Sequence, residues 1–139
     1  MAEKILVVDD EPDMLKLLSM MLRDKTGYEV TTTNNPIEAV ELAKQGVFAL
    51  VITDLKMPGL DGIELLDAVK KDNPDIPVIF ITAYATVESA TEAIQKGGFD
   101  FISKPFRKEQ ILFTIDRAMK WISLQKENKL LREQLKKGD

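Results

Sequence analysis

Ala49-Leu-Val-Ile-Thr-Asp-Leu-Lys-Met-Pro-Gly-Leu-Asp-Gly62 (ALVITDLKMPGLDG) is the stretch that decides the fold. Ala49 to Ile52 is a continuous apolar run without alternation, as expected of a parallel strand covered on both faces. It ends within two positions at an acid, Asp54, and the chain then turns on Pro58 and Gly59. The acid either forms the turn after the strand or stands as a working carboxylate at the mouth of a sheet.

Outward from this stretch, short β-rich runs alternate with segments of helical period. The strands are read as Lys4 to Val8, Tyr28 to Thr33, Phe48 to Thr53, Pro77 to Thr82 and Phe99 to Ser103. Between them lie helices over Asp13 to Arg23, Ile37 to Lys44, Gly62 to Asp72 and Thr86 to Lys96; a fifth begins near Lys108. Met14, Leu17, Leu18, Met21 and Leu22 share one face of the first helix, and Val87, Ala90 and Ile94 are expected to face inward on the fourth. Gly27, Gly46 and Gly97-Gly98 act as stops, and Asn35-Pro36 as a cap followed by an N1 proline. Phe99 and Phe101 share a face by period two. This (βα)5 pattern predicts an α/β fold, a flavodoxin-like, doubly wound five-stranded parallel sheet of order 2-1-3-4-5 with an extended C-terminal helix.

In such a sheet, functional groups gather beyond the carboxyl ends of the strands. Asp9 and Asp10 follow strand 1, Asp54 follows strand 3, Thr82 ends strand 4 and Lys104 follows strand 5, so all five converge on one edge. Three carboxylates held together resist ionisation. A divalent cation relieves the repulsion, and Mg2+ suits one or two carboxylates, a carbonyl oxygen and retained waters. Asp54, the single central acid, is then the natural nucleophile toward phosphorus. Phosphoryl transfer asks for positioning and for positive charge on the transferring oxygens. Lys104 supplies part of that charge, and the Thr82 hydroxyl a hydrogen bond. Each residue also has a plainer role: Asp9 or Asp10 as a helix cap, Asp54 as a turn-former, Thr82 as a strand-end hydroxyl, Lys104 as a solvated lysine. Their joint placement favours the chemical reading.

Composition narrows the field. The net charge is −4, which argues against direct attraction to nucleic acid or an anionic membrane. The chain has no cysteine and no histidine, which removes disulfides, thiol chemistry, Ser–His pairs and a phosphohistidine. The opening MAEKILVVDD is read without a targeting segment and no apolar run approaches bilayer length, so a cytoplasmic location is expected.

Val7-Val8-Asp9-Asp10-Glu11, Asp54 to Gly62, Ile81-Thr82-Ala83 and Lys104-Pro105-Phe106 together resemble the CheY-like receiver domain of bacterial two-component response regulators, over roughly Lys4 to Trp121. The resemblance implies that Asp54 accepts a phosphoryl group from a sensor histidine kinase. It implies that Asp10, Asp54 and the Lys56 backbone carbonyl ligate Mg2+, with Asp9 acting through water. Thr82, the Ala83 amide and Lys104 would bind the phosphoryl oxygens, and Thr82 and Phe101 would form the switch. Phe101 lacks the hydroxyl of the tyrosine many relatives carry, and the Lys104-Pro105 bond would be cis.

After Trp121 the composition changes, and a receiver domain of residues 1–121 is expected to give way to a helical linker, 122–139. Trp121, Leu124, Asn128, Leu131 and Leu135 recur at spacings 3, 4, 3, 4, a heptad seam with Asn128 at an a position. Helix 5 would thus run from about Lys108 to Lys136, roughly 43 Å, and form a homodimer through this seam and the helix 4–strand 5–helix 5 face. The linker resembles that of NtrC-family sigma-54-dependent transcriptional activators, in which an ATPase and a DNA-binding output domain follow the receiver. The expected role is therefore a self-catalysed phosphoacceptor and autodephosphorylating switch rather than a turnover enzyme, and the sequence allows phosphorylation either to make or to break the dimer. The rivals are a phosphorylation-insensitive dimerisation module, a metal-dependent aspartyl-nucleophile phosphatase and a dinucleotide- or flavin-binding domain. The second lacks an acid at position 56, which is Lys, and the third lacks a glycine-rich loop after strand 1.

Overall fold

The computed structural model describes residues 3–83 and 86–137. Five strands, β1 (Lys4–Val8), β2 (Glu29–Thr33), β3 (Leu50–Thr53), β4 (Val78–Thr82) and β5 (Asp100–Ser103), alternate with α1 (Pro12–Thr26), α2 (Pro36–Ala43), α3 (Gly62–Asp72), α4 (Val87–Gln95) and α5 (Lys108–Lys137). The strands are parallel in the order β2-β1-β3-β4-β5, as the (βα)5 pattern predicts. Four of the five strands start one or two residues later than their apolar runs; the leading Tyr28, Phe48 and Phe99 pack in the core without joining the ladder.

The pleat sorts the core into two layers. Ile5, Val7, Ile52, Ile79 and Ile81 point to α1 and α5, where they meet Leu18, Leu22, Ile111 and Ile115. Leu6, Val8, Val51, Val78 and Phe80 point to the other face and meet Ala39, Leu65, Leu66, Val69 and Ala93 of α2, α3 and α4. Helix ends follow their residue chemistry. Asn35 caps α2 by accepting from the Ile37 and Glu38 N–H groups, Asp61 and Glu64 form a reciprocal capping box on α3, and Gly27 closes α1 in the left-handed region at φ 73°.

Three expectations about faces are corrected. On α4, Val87 and Ile94 are 85% and 46% exposed, and the buried residue is Ala93. The face toward the sheet carries small side chains, with Ser89 and Ala90 half-buried, because the space beneath is filled by Phe80 and Phe101, whose rings lie 6.4 Å apart. On α1, Leu17 is exposed, and Leu15, Leu18 and Leu22 carry the packing. Phe99 and Phe101 go to opposite layers. Phe99 precedes the first ladder residue, so strand alternation does not reach it.

The helix α5 is continuous through Trp121 and is 30 residues long, about 45 Å. Trp121 meets Phe99 edge-on with centroids 6.0 Å apart, which fixes the helix to the sheet where it leaves the domain. Leu124, Asn128, Leu131 and Leu135 beyond it are exposed. No helix among the described residues is long and apolar enough to cross a membrane.

Candidate functional site

The register of the sheet brings the site together. Val8 pairs with Thr53 across β1 and β3, so Asp9 and Asp54 step off the ladder side by side. The Asp54 N–H still donates to the Val8 carbonyl at 3.1 Å, and the Asp9 N–H to the Thr33 carbonyl at 3.3 Å. Thr82 pairs with Ser103, and the Lys104 N–H donates to the Thr82 carbonyl at 2.8 Å. Backbone pairing therefore sets the height at which each side chain leaves its strand.

Lys104 reaches back across the top of the sheet. Its Nζ lies 3.1 Å from Asp9 Oδ2 and 3.1 Å from Asp54 Oδ2, with Glu11 Oε1 at 3.7 Å. Asp9 and Asp54 are only 2% and 4% exposed. Asp9 Oδ1 accepts from the Glu11 N–H at 2.9 Å, and Asp54 Oδ1 from the Lys56 N–H at 3.3 Å. Burial raises the Asp9 pKa, against the opposing pull of the Glu11 N–H and Lys104. Burial lowers that of Lys104, but its contacts with Asp9 and Asp54 together outweigh burial and leave it raised. The lysine stays charged, and the two carboxylates share a single positive partner.

Neither Asp9 nor Asp10 is the N-cap of α1: that position is Glu11, followed by Pro12 at N1, and the Glu11 side chain makes no capping hydrogen bond, while Asp9 braces the entry to the helix through the Glu11 N–H. Asp54 does brace its turn, through the Lys56 N–H on Oδ1, while Oδ2 faces Lys104.

The chain is held tightly where it leaves β3. The Thr53 hydroxyl at the strand end donates to the Asp54 carbonyl at 3.0 Å, Met57 is buried, and the Gly62 N–H donates to the Leu55 carbonyl at 2.8 Å. A Cβ on Gly62 would lie 2.5 Å from the Asp54 carbonyl oxygen and 2.9 Å from the Leu55 Cα. Only glycine lets α3 start this close to the acid it positions.

Asp9, Asp10, Glu11 and Asp54 can each offer a carboxylate oxygen such that all lie within 4.8 Å of one another. A hard-oxygen set of this kind, beside an open cavity of about 380 Å3 lined by Asp10, Glu11, Asp54, Lys56, Met57 and Pro58, fits a divalent cation such as Mg2+. Thr82 is fully buried at the end of β4, Ala83 is exposed just beyond it, and Phe101 is half-buried against Phe80. The Lys104-Pro105 bond is cis. The convergence expected of Asp9, Asp10, Asp54 and Lys104 is present. Glu11 joins the cluster without having been singled out. Its only sequence signal is its place between the acid pair and Pro12, which reads first as a helix start.

A parallel α/β sheet with a lysine bridging buried acids at its carboxyl edge is the arrangement of a class of receiver-type signalling domains. The chain belongs to that class: residues 5–116 match the response regulator receiver domain family. It is 40% identical over 115 residues to the transcriptional regulatory protein ZraR of Klebsiella oxytoca, covering 83% of this chain and 26% of ZraR. The crystal structure of NtrX from Brucella abortus superposes with a TM-score of 0.87 at 37% identity, covering 94% of this chain and 30% of NtrX. The solution structure of the beryllofluoride-activated NtrC4 receiver domain dimer gives a TM-score of 0.81 at 37% identity, covering 86% of this chain and 98% of that one. The chain thus spans 26% to 30% of the length of the longer relatives it matches.

Proposed function

We propose that this chain is the phosphoacceptor module of a two-component regulator, with Asp54 as the residue that takes the phosphoryl group from a sensor histidine kinase. The observation that carries the reading is the Lys104 ammonium 3.1 Å from both Asp54 and Asp9, each buried at the carboxyl end of its strand. Asp10, Asp54 and the Lys56 carbonyl would hold Mg2+, with Asp9 acting through water. When bound, Mg2+ offsets the negative charge that otherwise keeps a phosphoryl donor from the acids.

An Asp54 carboxylate oxygen attacks phosphorus; the new O–P bond forms as the P–N bond of the kinase's phosphohistidine breaks, and the imidazole leaves with the electron pair. Lys104 moves from bridging two carboxylates to neutralising the phosphoryl oxygens. Thr82 and the Ala83 N–H complete the set of donors, and Thr82 and Phe101 form the switch. The chain is altered by the transfer and reset by hydrolysis, so it acts as a switch rather than a turnover enzyme.

The exposed apolar residues of the α4–β5–α5 face (Val87, Ile94 and Phe113) and of the linker (Leu124, Leu131 and Leu135) support a homodimer. The family relationship and the activated NtrC4 receiver dimer point the same way. The phosphorylation state would alter the arrangement of the two copies and so control an output domain, an ATPase with a DNA-binding module that activates sigma-54 transcription.

Intact mass after incubation with a small phosphodonor and Mg2+ tests the acceptor. The wild-type chain is expected to gain one phosphoryl group, and Asp54→Asn none. A full gain in the variant would move the acceptor elsewhere.

A further inference from the structure

The α5 extension has two distinct sides. Ile122, Lys126 and Lys129 face the chain's own domain across a cavity of about 610 Å3, whose opposite wall includes Val47, Phe48 and Ile76. The seam residues Leu124, Leu131 and Leu135 lie on another stripe and are 57%, 49% and 74% exposed. Asn128 and Arg132 also line the edge of that cavity, and both are exposed. Since Trp121 is held by Phe99, the free part of the seam begins at Leu124, where the helix leaves the domain.

With Asn128 at a, Leu124 and Leu131 fall at d, Glu127 at g and Arg132 at e. In a parallel two-stranded coil, g of one heptad meets e of the next heptad on the other helix. That brings Glu127 of each copy to Arg132 of the other, two opposite-charge pairs flanking the Asn128 layer. Antiparallel packing brings e toward e and g toward g, where the described e positions of the linker offer Arg132 only Gln125 or a second Arg132. Glu127 and Arg132 are exposed, and neither takes part in an ion pair among the described residues.

We infer that the open α5 seam selects a second copy of this chain, parallel and in register, through reciprocal Glu127–Arg132 pairs around Asn128. This rests on the dimer reading above and adds orientation, register and the basis of partner choice. The recognising chemistry is charge complementarity at the flanks, since leucines at d would accept many amphipathic helices.

The chain has no cysteine, so a single introduced thiol reports pairing cleanly. In the 139-residue chain and a glutathione redox buffer, Asn128→Cys is expected to form an intermolecular disulfide, because equivalent a positions meet in a parallel in-register pair. Lys126→Cys, on the domain-facing side, is expected to stay at background. Glu127→Arg or Arg132→Glu, each added to Asn128→Cys, should lower the cross-linking equilibrium constant about tenfold by replacing two attractions with two repulsions. Mixing those two variants should restore cross-linking as the heterodimer, and about 1 M salt should flatten the differences. Equal cross-linking at 126 and 128, or indifference of the 128 disulfide to both charge reversals, would overturn the inference. Phosphoryl uptake on the same samples separates the two readings. A chain that is phosphorylated but does not cross-link refutes the pairing alone. One that cross-links but is not phosphorylated refutes the acceptor reading alone.

Discussion

Asp9 is the residue on which the electrostatic cost of the site falls. Its carboxylate is buried beside that of Asp54, and one ammonium serves both. Its raised pKa means that the folded chain holds the proton more tightly than the unfolded one. The group therefore favours folding fully below the ordinary carboxyl value of 3.8, and this contribution is lost as pH rises through the higher folded-state value. Asp9→Asn removes the ionisation and keeps an oxygen for the Glu11 N–H. The variant should be more stable than wild type at neutral pH, by about 1 kcal/mol, with the gain vanishing below the unfolded carboxyl pKa. Denaturant midpoints across pH in the absence of divalent cations measure this. A variant less stable at neutral pH would mean that the Lys104 contact outweighs burial. Asp9, Asp10, Asp54 and Lys104 were legible in the sequence because each follows a run of strand residues, and parallel register does the rest. Glu11 was not, because its approach to Lys104 depends on how the first turn of α1 leaves β1, and no spacing rule carries that information.

The loop between β3 and α3 does at the level of elements what register does for single residues. The Asp61–Glu64 capping box starts the helix, and the Gly62 N–H bond to Leu55 draws its first turn against the strand end. Because the atoms nearest a Cβ on Gly62 are backbone, they cannot rotate away. Gly62→Ala should destabilise the domain by about 3 kcal/mol, the upper range for overpacking, and slow phosphoryl uptake by shifting Asp54. Gly59→Ala is the contrasting case. Its φ is 90° with open space around it, so the cost should be near 1 kcal/mol and confined to backbone strain. Urea midpoints of both variants test the pair, and equal effects would remove the close-approach explanation. Continuous apolar runs made β1, β3 and β4 readable from sequence, as caps and glycines did the helix ends. The inward face of α4 was misread because apolarity suggests burial, whereas Phe80 and Phe101 leave room only for Ala93, Ala90 and Ser89. Side-chain volume across a layer is a tertiary property, and a single helix does not encode it.

At the scale of the molecule, the site and the linker are joined by one strand and one helix. Lys104 follows β5, and Asp100 at the start of the same strand accepts from Arg117 Nη1 at 2.7 Å. The Arg117 guanidinium lies over Phe99 and Phe113, 5.5 and 5.9 Å from their ring centroids, and Phe99 meets Trp121. On the proposed reading, a phosphoryl group on Asp54 would add about −1.5 to −2 charges, compete with the carboxylates for Lys104 and so pull on the end of β5. The contacts of Asp100, Arg117 and Phe99 offer that pull a route to α5 directly before the exposed seam begins. A ligand that favours one setting of this contact shifts the population of protomer arrangements only by its differential affinity for the two settings. Under the proposed dimer, beryllofluoride with Mg2+ should therefore change the small-angle scattering profile of the chain. Arg117→Ala should bind beryllofluoride as wild type does, lose at most about 1 kcal/mol of stability because its ion pair is partly exposed, and show a smaller change in scattering. Profiles of the wild-type chain that coincide with and without beryllofluoride would sever the site from α5, since the proposed acceptor would then have no route through this helix to the proposed output.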